Sequence, residues 1–276
     1  MYIRTYIGEQ ALGVLAAYRG QDAVLHICGV YAQWDNSLRV FIPRGHALKV
    51  GDRATLHLDN RTGVDELDAE LKVYRMSYKG EVVQADEDWA TLVPRECQVM
   101  HGTRCILDLR APGYAFPSDP RPLRELPLSP LEVMPAIERK DDPNKIGVLV
   151  TLAPEQPHTT VLAFLSSEDD DIFLITLPGA FKSQLLKRDG HCFFVIDERA
   201  TFTFERSIQW NYTLIEATAA RIARDSPLFM QVQHAFIDKN PWEMAFFIQP
   251  ELEMYHLRRE RIVYPGELRR VAVPGA

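Results

Sequence analysis

Ile175-Thr176-Leu177-Pro178-Gly179-Ala180-Phe181-Lys182 lies between two short β-like runs. Ile172–Thr176 before it reads as a strand, Phe181–Lys187 after it as a short helix, and Cys192–Ile196 as the next apolar strand. A strand ending in Thr, a Gly turn and a Lys in the first helical turn form a phosphate cradle. The turn lets backbone N–H groups converge, the helix N-terminus carries partial positive charge, and Lys182 adds a full one.

Working outward, Ile146–Leu152, His158–Leu165, Ala200–Phe204 and Tyr212–Ile222 extend the same β series. Ser226-Pro227 supplies an N-cap and a proline at the first helical position. Leu228, Val232, Ala235 and Phe236 then recur at helical spacing through Asp238, with Pro241 just beyond. Glu243–Ile248 and Glu253–Leu257 read as closing strands.

Eight of the 18 prolines fall between Pro112 and Pro143, a density that forbids a regular helix or central strand. This stretch is expected to be an extended connector, laid against a surface by the apolar residues of Leu123–Ile137. Upstream, Ala23–Tyr31, Leu38–Ile42, Ala54–Leu58, Glu70–Met76, Glu81–Gln84 and Ala90–Val93 are short strand-like runs divided by turn signals. The predicted fold is mostly β, with two tandem β domains. Residues 1–110 make an N-terminal barrel or sandwich, 111–144 the connector, and 145–276 the second domain.

The 276 residues exceed the usual size of a single core and are 46% hydrophobic and 25% charged, as in ordinary globular proteins. A net charge of −7 argues against nucleic-acid and anionic-membrane partners. The basic run Arg258-Arg259-Glu260-Arg261 reads as a solvated face. The N-terminus lacks the apolar core of a signal peptide, and no apolar stretch approaches the roughly 20 residues that span a bilayer. Cys28, Cys97, Cys105 and Cys192 show no metal-ligand spacing, and Cys28 and Cys192 read as buried thiols. A reducing cytoplasm is the expected location.

The second half resembles the pyridoxamine 5′-phosphate oxidase-like split barrels, which bind FMN, usually at a homodimer interface. The resemblance covers about Lys145 to Tyr264 and rests on the order of elements and on the turn. The oxidase turn reads Tyr-Thr-x-x-Gly-Ser-Arg-Lys. Here Thr176, Gly179 and Lys182 are kept, while Ala180 and Phe181 replace the Ser and Arg. His158–Phe164 matches the strand along the flavin, with Thr159 or Thr160 where an arginine helps hold the phosphate. Trp210 and Asn211 fall where the family brings side chains to the flavin ring. The resemblance thus implies an FMN-binding split barrel with a few short helices, forming a homodimer and acting on a small-molecule redox substrate or electron donor. It implies Lys182 and Thr176 on the phosphate, Thr159 or Thr160 in support, and Asn211 with Trp210 at the ring. Glu251–Tyr264 holds no counterpart of the residues that bind a pyridoxal substrate, so that particular oxidation is not expected.

Two alternatives stay open: a binding or regulatory protein that has lost flavin, and a heme-binding relative using His234 or His256. No nucleophile motif and no metal-spaced histidine pair is visible. The acidic run Glu168-Asp169-Asp170-Asp171 reads as a solvated hairpin loop. Arg75-Met76-Ser77-Tyr78-Lys79-Gly80 contains the Ser-x-x-Gly half of the PilZ motif without its upstream arginines, and reads as an accident of strand and turn.

Overall fold

Gly20 takes φ +64°, a left-handed conformation that favours glycine, and so turns the chain between β1 (Gln10–Arg19) and β2 (Asp22–Ala32). The computed structural model describes residues 1–42, 45–60, 73–102, 104–197 and 212–263. The short helix α1 (Arg4–Ile7) precedes the hairpin. It is followed by β3 (Leu38–Phe41), β4 (Arg53–Asp59), β5 (Tyr74–Ala85), β6 (Trp89–His101) and β7 (Arg104–Arg110). The antiparallel order is β3-β2-β1-β4-β5-β6-β7, and β3 also pairs with β6. That extra pairing closes a six-stranded barrel and leaves β7 as an added edge strand. Leu15, Val24, Cys28, Leu38, Leu56, Tyr78 and Leu92 fill its interior.

The second sheet contains β8 (Ile146–Thr151), β9 (His158–Ala163), β10 (Leu165–Ser166) and β11 (Ile172–Thr176), then β12 (His191–Asp197), β13 (Tyr212–Ile222) and β14 (Glu253–Val263). Its order, β10-β11-β14-β13-β12-β8-β9, curls into a half-barrel because β9 and β10 are consecutive in the chain yet lie at opposite edges. Leu149, Leu174, Phe194, Ile215, Tyr255 and Leu257 line the concave face, and α2 (Phe181–Arg188) adds Leu186. Helix α3 (Pro227–Lys239) covers Phe173, Ile175 and Met254 with Leu228, Phe229, Val232 and Phe236. Its start follows expectation: Pro227 opens the helix and Ser226 Oγ accepts the Phe229 N–H at 3.2 Å.

The predicted strand Glu243–Ile248 is instead helical. Pro241–Glu243 forms one tight turn and α4 (Met244–Phe247) another. Pro241 supplies the helical φ at the first position, and the run is too short for its apolar content to specify a strand. The predicted strand Ala200–Phe204 lies outside the described residues.

The two sheets meet face to face. Val14, Ala16, Ala23 and Ile27 on the outside of the barrel pack against Val148, Val150, Leu152, Phe193, Val195 and Leu214 of the half-barrel. Polar contacts border this apolar zone: Thr55 Oγ1 donates to the Pro157 carbonyl at 2.6 Å, and Gln156 Nε2 to the Ala54 carbonyl at 3.0 Å. Tyr18 OH donates to the Ala153 carbonyl at 2.8 Å. The proline-rich connector runs over the half-barrel, as its apolar residues predict. Arg124 N–H donates to the Lys187 carbonyl, Leu128 bridges Arg221, and Ile137 bridges Ser167.

Packing inside the half-barrel is close at Gly147, where an added Cβ would lie 2.6 Å from the Phe194 ring and 3.0 Å from the Val195 carbonyl oxygen. Gly147→Val is expected to destabilise the fold by about 3 kcal/mol, because ring and backbone must both yield. A shift of the denaturant midpoint measures this, and an unshifted midpoint would contradict the close approach.

Candidate functional site

The Thr176–Lys182 turn closes with the Ala180 N–H donating to the Leu177 carbonyl at 2.9 Å. Gly179 has an ordinary negative-φ backbone and open space where a Cβ would stand, so the turn does not require glycine there. Ala180, the N-cap of α2, has no side chain that can cap the helix, leaving the first-turn N–H groups without a side-chain acceptor. Helix α2 is held by its other face. Ser183 Oγ donates to Glu253 Oε2 at 2.9 Å, and Lys187 Nζ to Glu253 Oε1 at 2.6 Å.

Lys182 sits half-buried in the first turn of α2 and forms no ion pair among the described residues. Burial pulls its ammonium below the usual lysine range, and Glu243 partly opposes that effect. Beside it, the Phe181 ring meets the His158 ring edge-on at 5.0 Å, and Phe116 of the connector completes the cluster at 5.4 and 5.8 Å. His158 opens β9. Its Nε2 is 3.0 Å from Thr160 Oγ1, while its Nδ1 is buried without a partner. Burial, with the charges of Lys79 and Lys182 nearby, drives the His158 pKa down to about 3, so the ring is neutral at pH 7.

The expected phosphate ligands are therefore distributed as follows. Lys182 and Thr160 both adjoin His158, Lys182 through its charge and Thr160 through a hydrogen bond. Thr159 faces the other side of the sheet, in register with Val150, and is buried with an unpartnered hydroxyl. The alternation of side chains along a strand requires this split. Thr176 ends β11 with its hydroxyl donating to the Leu177 carbonyl at 3.4 Å. Trp210 and Asn211 lie outside the described residues.

Residue types alone do not mark His158, Phe116, Arg75, Ser77 or Lys79 as site groups. On β5, Met76 and Tyr78 point into the barrel, so Arg75, Ser77 and Lys79 project outward. The corresponding row on β4 is Thr55, His57 and Asp59, all buried although they lie outside the barrel. Strand β9 lies against both strands. Lys79 pairs with Glu96, which also binds Arg110 Nη2 at 2.9 Å, and the Lys79 ammonium lies 5.4 Å from the centre of the Phe116 ring.

His256, one of the two histidines considered as heme ligands, is fully buried and hydrogen-bonded through one ring nitrogen. Its Nδ1 is 2.9 Å from Ser129 Oγ and its Nε2 is 3.3 Å from Asp171 Oδ2. His234 is exposed on α3. The arginines of the basic run are paired: Arg258 with Glu260, Arg259 with Asp170 and Arg261 with Glu216. Among the described residues no three His, Cys, Asp or Glu side chains converge as a metal site. No described helix is long and apolar enough to cross a membrane.

No family model and no curated protein matches this chain. Among solved structures, HutZ, the heme storage protein from Vibrio cholerae, is 18% identical with a TM-score of 0.37, over 44% of this chain and 87% of its own. A putative pyridoxamine 5′-phosphate oxidase from Listeria innocua is 16% identical with a TM-score of 0.31, over 43% of this chain and 86% of its own. A FAD-binding protein from Mesorhizobium loti is 14% identical with a TM-score of 0.33, over 43% of this chain and 82% of its own. Each of these similarities covers rather less than half of this chain.

Proposed function

We propose that this protein is an FMN-binding flavoprotein and an oxidoreductase acting on a small-molecule redox substrate or electron donor, with the FMN phosphate held where α2 meets the start of β9. The observation that carries this reading is Lys182: a half-buried ammonium at an uncapped helix N-terminus, with no ion-pair partner among the described residues. A desolvated cation in that position gains most from an anion. Thr160 and the unpartnered Nδ1 of His158 supply polar groups beside it. Neutral His158 carries its ring proton on one nitrogen, so its tautomer decides whether Nδ1 donates to a phosphate oxygen. The Phe116 and Phe181 rings stand edge to face beside this end of the site. When bound, FMN supplies the redox chemistry, which the chain's own residues orient and shield. The full burial of His256, with its Nδ1 beside Ser129 and its Nε2 facing Asp171, favours flavin over a heme held by that residue.

Comparing FMN with riboflavin tests the assignment, since the two differ only by the phosphate. The intact protein is expected to bind FMN at least tenfold more tightly, and Lys182→Ala to remove about tenfold of FMN affinity while leaving riboflavin binding unchanged. Equal FMN affinity in the variant and the parent, measured by flavin fluorescence titration, would take Lys182 out of the site.

A further inference from the structure

A phosphate dianion calls for more positive charge than Lys182 alone supplies. We infer that the first barrel supplies the missing charge, with Arg75 and Lys79 forming the opposite wall of the same anion site, so that one chain builds the whole site across the seam between its two sheets. This rests on the anion reading of the Lys182 notch and adds residues from another part of the fold to it.

Three unsatisfied atoms mark the seam. Arg75 Nε and Ser77 Oγ on the barrel side and His158 Nδ1 on the half-barrel side are buried without a hydrogen-bond partner, and Thr159 Oγ1, also unpaired, lies on the opposite face of β9 and outside this group. Buried polar atoms are almost always paired, so a group of them on two apposed surfaces points to a polar ligand between those surfaces. The charges connect across the seam as well. Glu243, in the turn before α4, feels both Arg75 of the barrel and Lys182 of α2, while His158 feels both Lys79 of the barrel and Lys182. Geometry ties the barrel to His158 as well: the Lys79 ammonium lies 5.4 Å from the centre of the Phe116 ring, which meets the His158 ring at 5.8 Å, and two carboxylates, Glu96 and Glu243, lie near these cations. Glu96 is committed to Lys79 and Arg110. Burial raises the pKa of the Glu243 carboxyl despite Trp242, Arg75 and Lys182, which weakens it as a counter-ion. The Arg75 guanidinium is anchored by one nitrogen, Nη2, on the Gly102 carbonyl, leaving Nε unused. The ligand class that fits is an organic phosphate, whose dianionic end takes several N–H donors at once. The apolar zone beside this polar one, Val14 and Ala16 against Val150 and Phe193, holds the two walls in register. A second copy of the chain is not needed to build such a site.

Three measurements on the full chain decide this. Arg75→Met is expected to weaken FMN binding about tenfold or more and to leave riboflavin binding unchanged, whereas a merely structural residue would affect both ligands alike. Lys79→Met provides the second variant: removing its charge and releasing Glu96 must raise the His158 pKa, read from the imidazole NMR shifts without any flavin present. Finally, Arg75→Met and Lys182→Ala chains are co-expressed. A site built within one chain recovers no tight FMN binding in the mixture, while a site shared between two copies recovers part of it. Equal loss of FMN and riboflavin, an unmoved His158 titration or recovery on mixing would each overturn the inference. If the parent protein bound no FMN, the flavin reading would fall, and the His158 titration in Lys79→Met would still test whether the barrel forms the facing wall.

Discussion

Val150→Asp is expected to remove most of the stability of this protein. Val150 is fully buried in the seam, within an apolar patch contributed by both sheets. A carboxylate there must ionise without a partner or stay protonated among methyl groups, at a cost of about 4 kcal/mol. Domains are commonly stable by about 5–15 kcal/mol, so the loss is large. The control is Leu128→Asp, on the exposed connector, which should change stability by less than about 0.5 kcal/mol. Urea unfolding of the parent should show both sheets melting in one transition, and Val150→Asp should lower its midpoint or split it in two. An unchanged midpoint would mean that the seam contributes little and that the sheets are independent.

Acid is expected to act almost as strongly. Burial drives the His158 pKa down to about 3, helped by Lys79 and Lys182, and burial drives that of His26 down to about 4, helped by His46. Each histidine stays neutral in the folded protein but takes up a proton near pH 6.5 once unfolded. Below that pH the unfolded state binds more protons, so stability is fully present above pH 6.5 and falls as the pH drops towards 4 and 3. Each histidine removes at most about 1.4 kcal/mol per pH unit in this window, or about 4 kcal/mol for the pair between pH 7.5 and 5. Denaturant midpoints at the two pH values measure the loss, and His158→Gln should flatten the slope by roughly half. A midpoint constant from pH 7.5 to 5 would show that both rings accept protons in the folded state.

Much of the second half is legible from local pattern. The strand ending at Thr176, the helix bearing Lys182 and the capped start of α3 each carry their own signal: an apolar run, a turn, and Ser226 before Pro227. Strand β1 does not. Gln10–Arg19 is rich in alanine and contains Gly13, and burial on both faces removes the alternation that would identify a strand. Glu243–Ile248 misleads for a related reason, being an apolar run too short for its period to be read.

The candidate site is legible on one side only. Lys182 and the threonines of β9 lie in a recognisable pattern, and the split between Thr159 and Thr160 follows from strand geometry. Arg75 and Lys79 sit in another sheet, roughly eighty residues from His158, and only the docking of the two sheets brings them into the same electrostatic environment. Their local context is an outward row on a barrel strand, which ordinarily faces water. What distinguishes the row is its burial, and that depends on the rest of the chain.

The visible absorption spectrum of the freshly purified protein, followed by heat release and mass identification of any chromophore, tests the central claim most directly. The account predicts flavin bands and released FMN at one per chain, or their appearance when FMN is added to an initially colourless protein. A colourless protein that takes up no FMN, or one showing a Soret band, would contradict it.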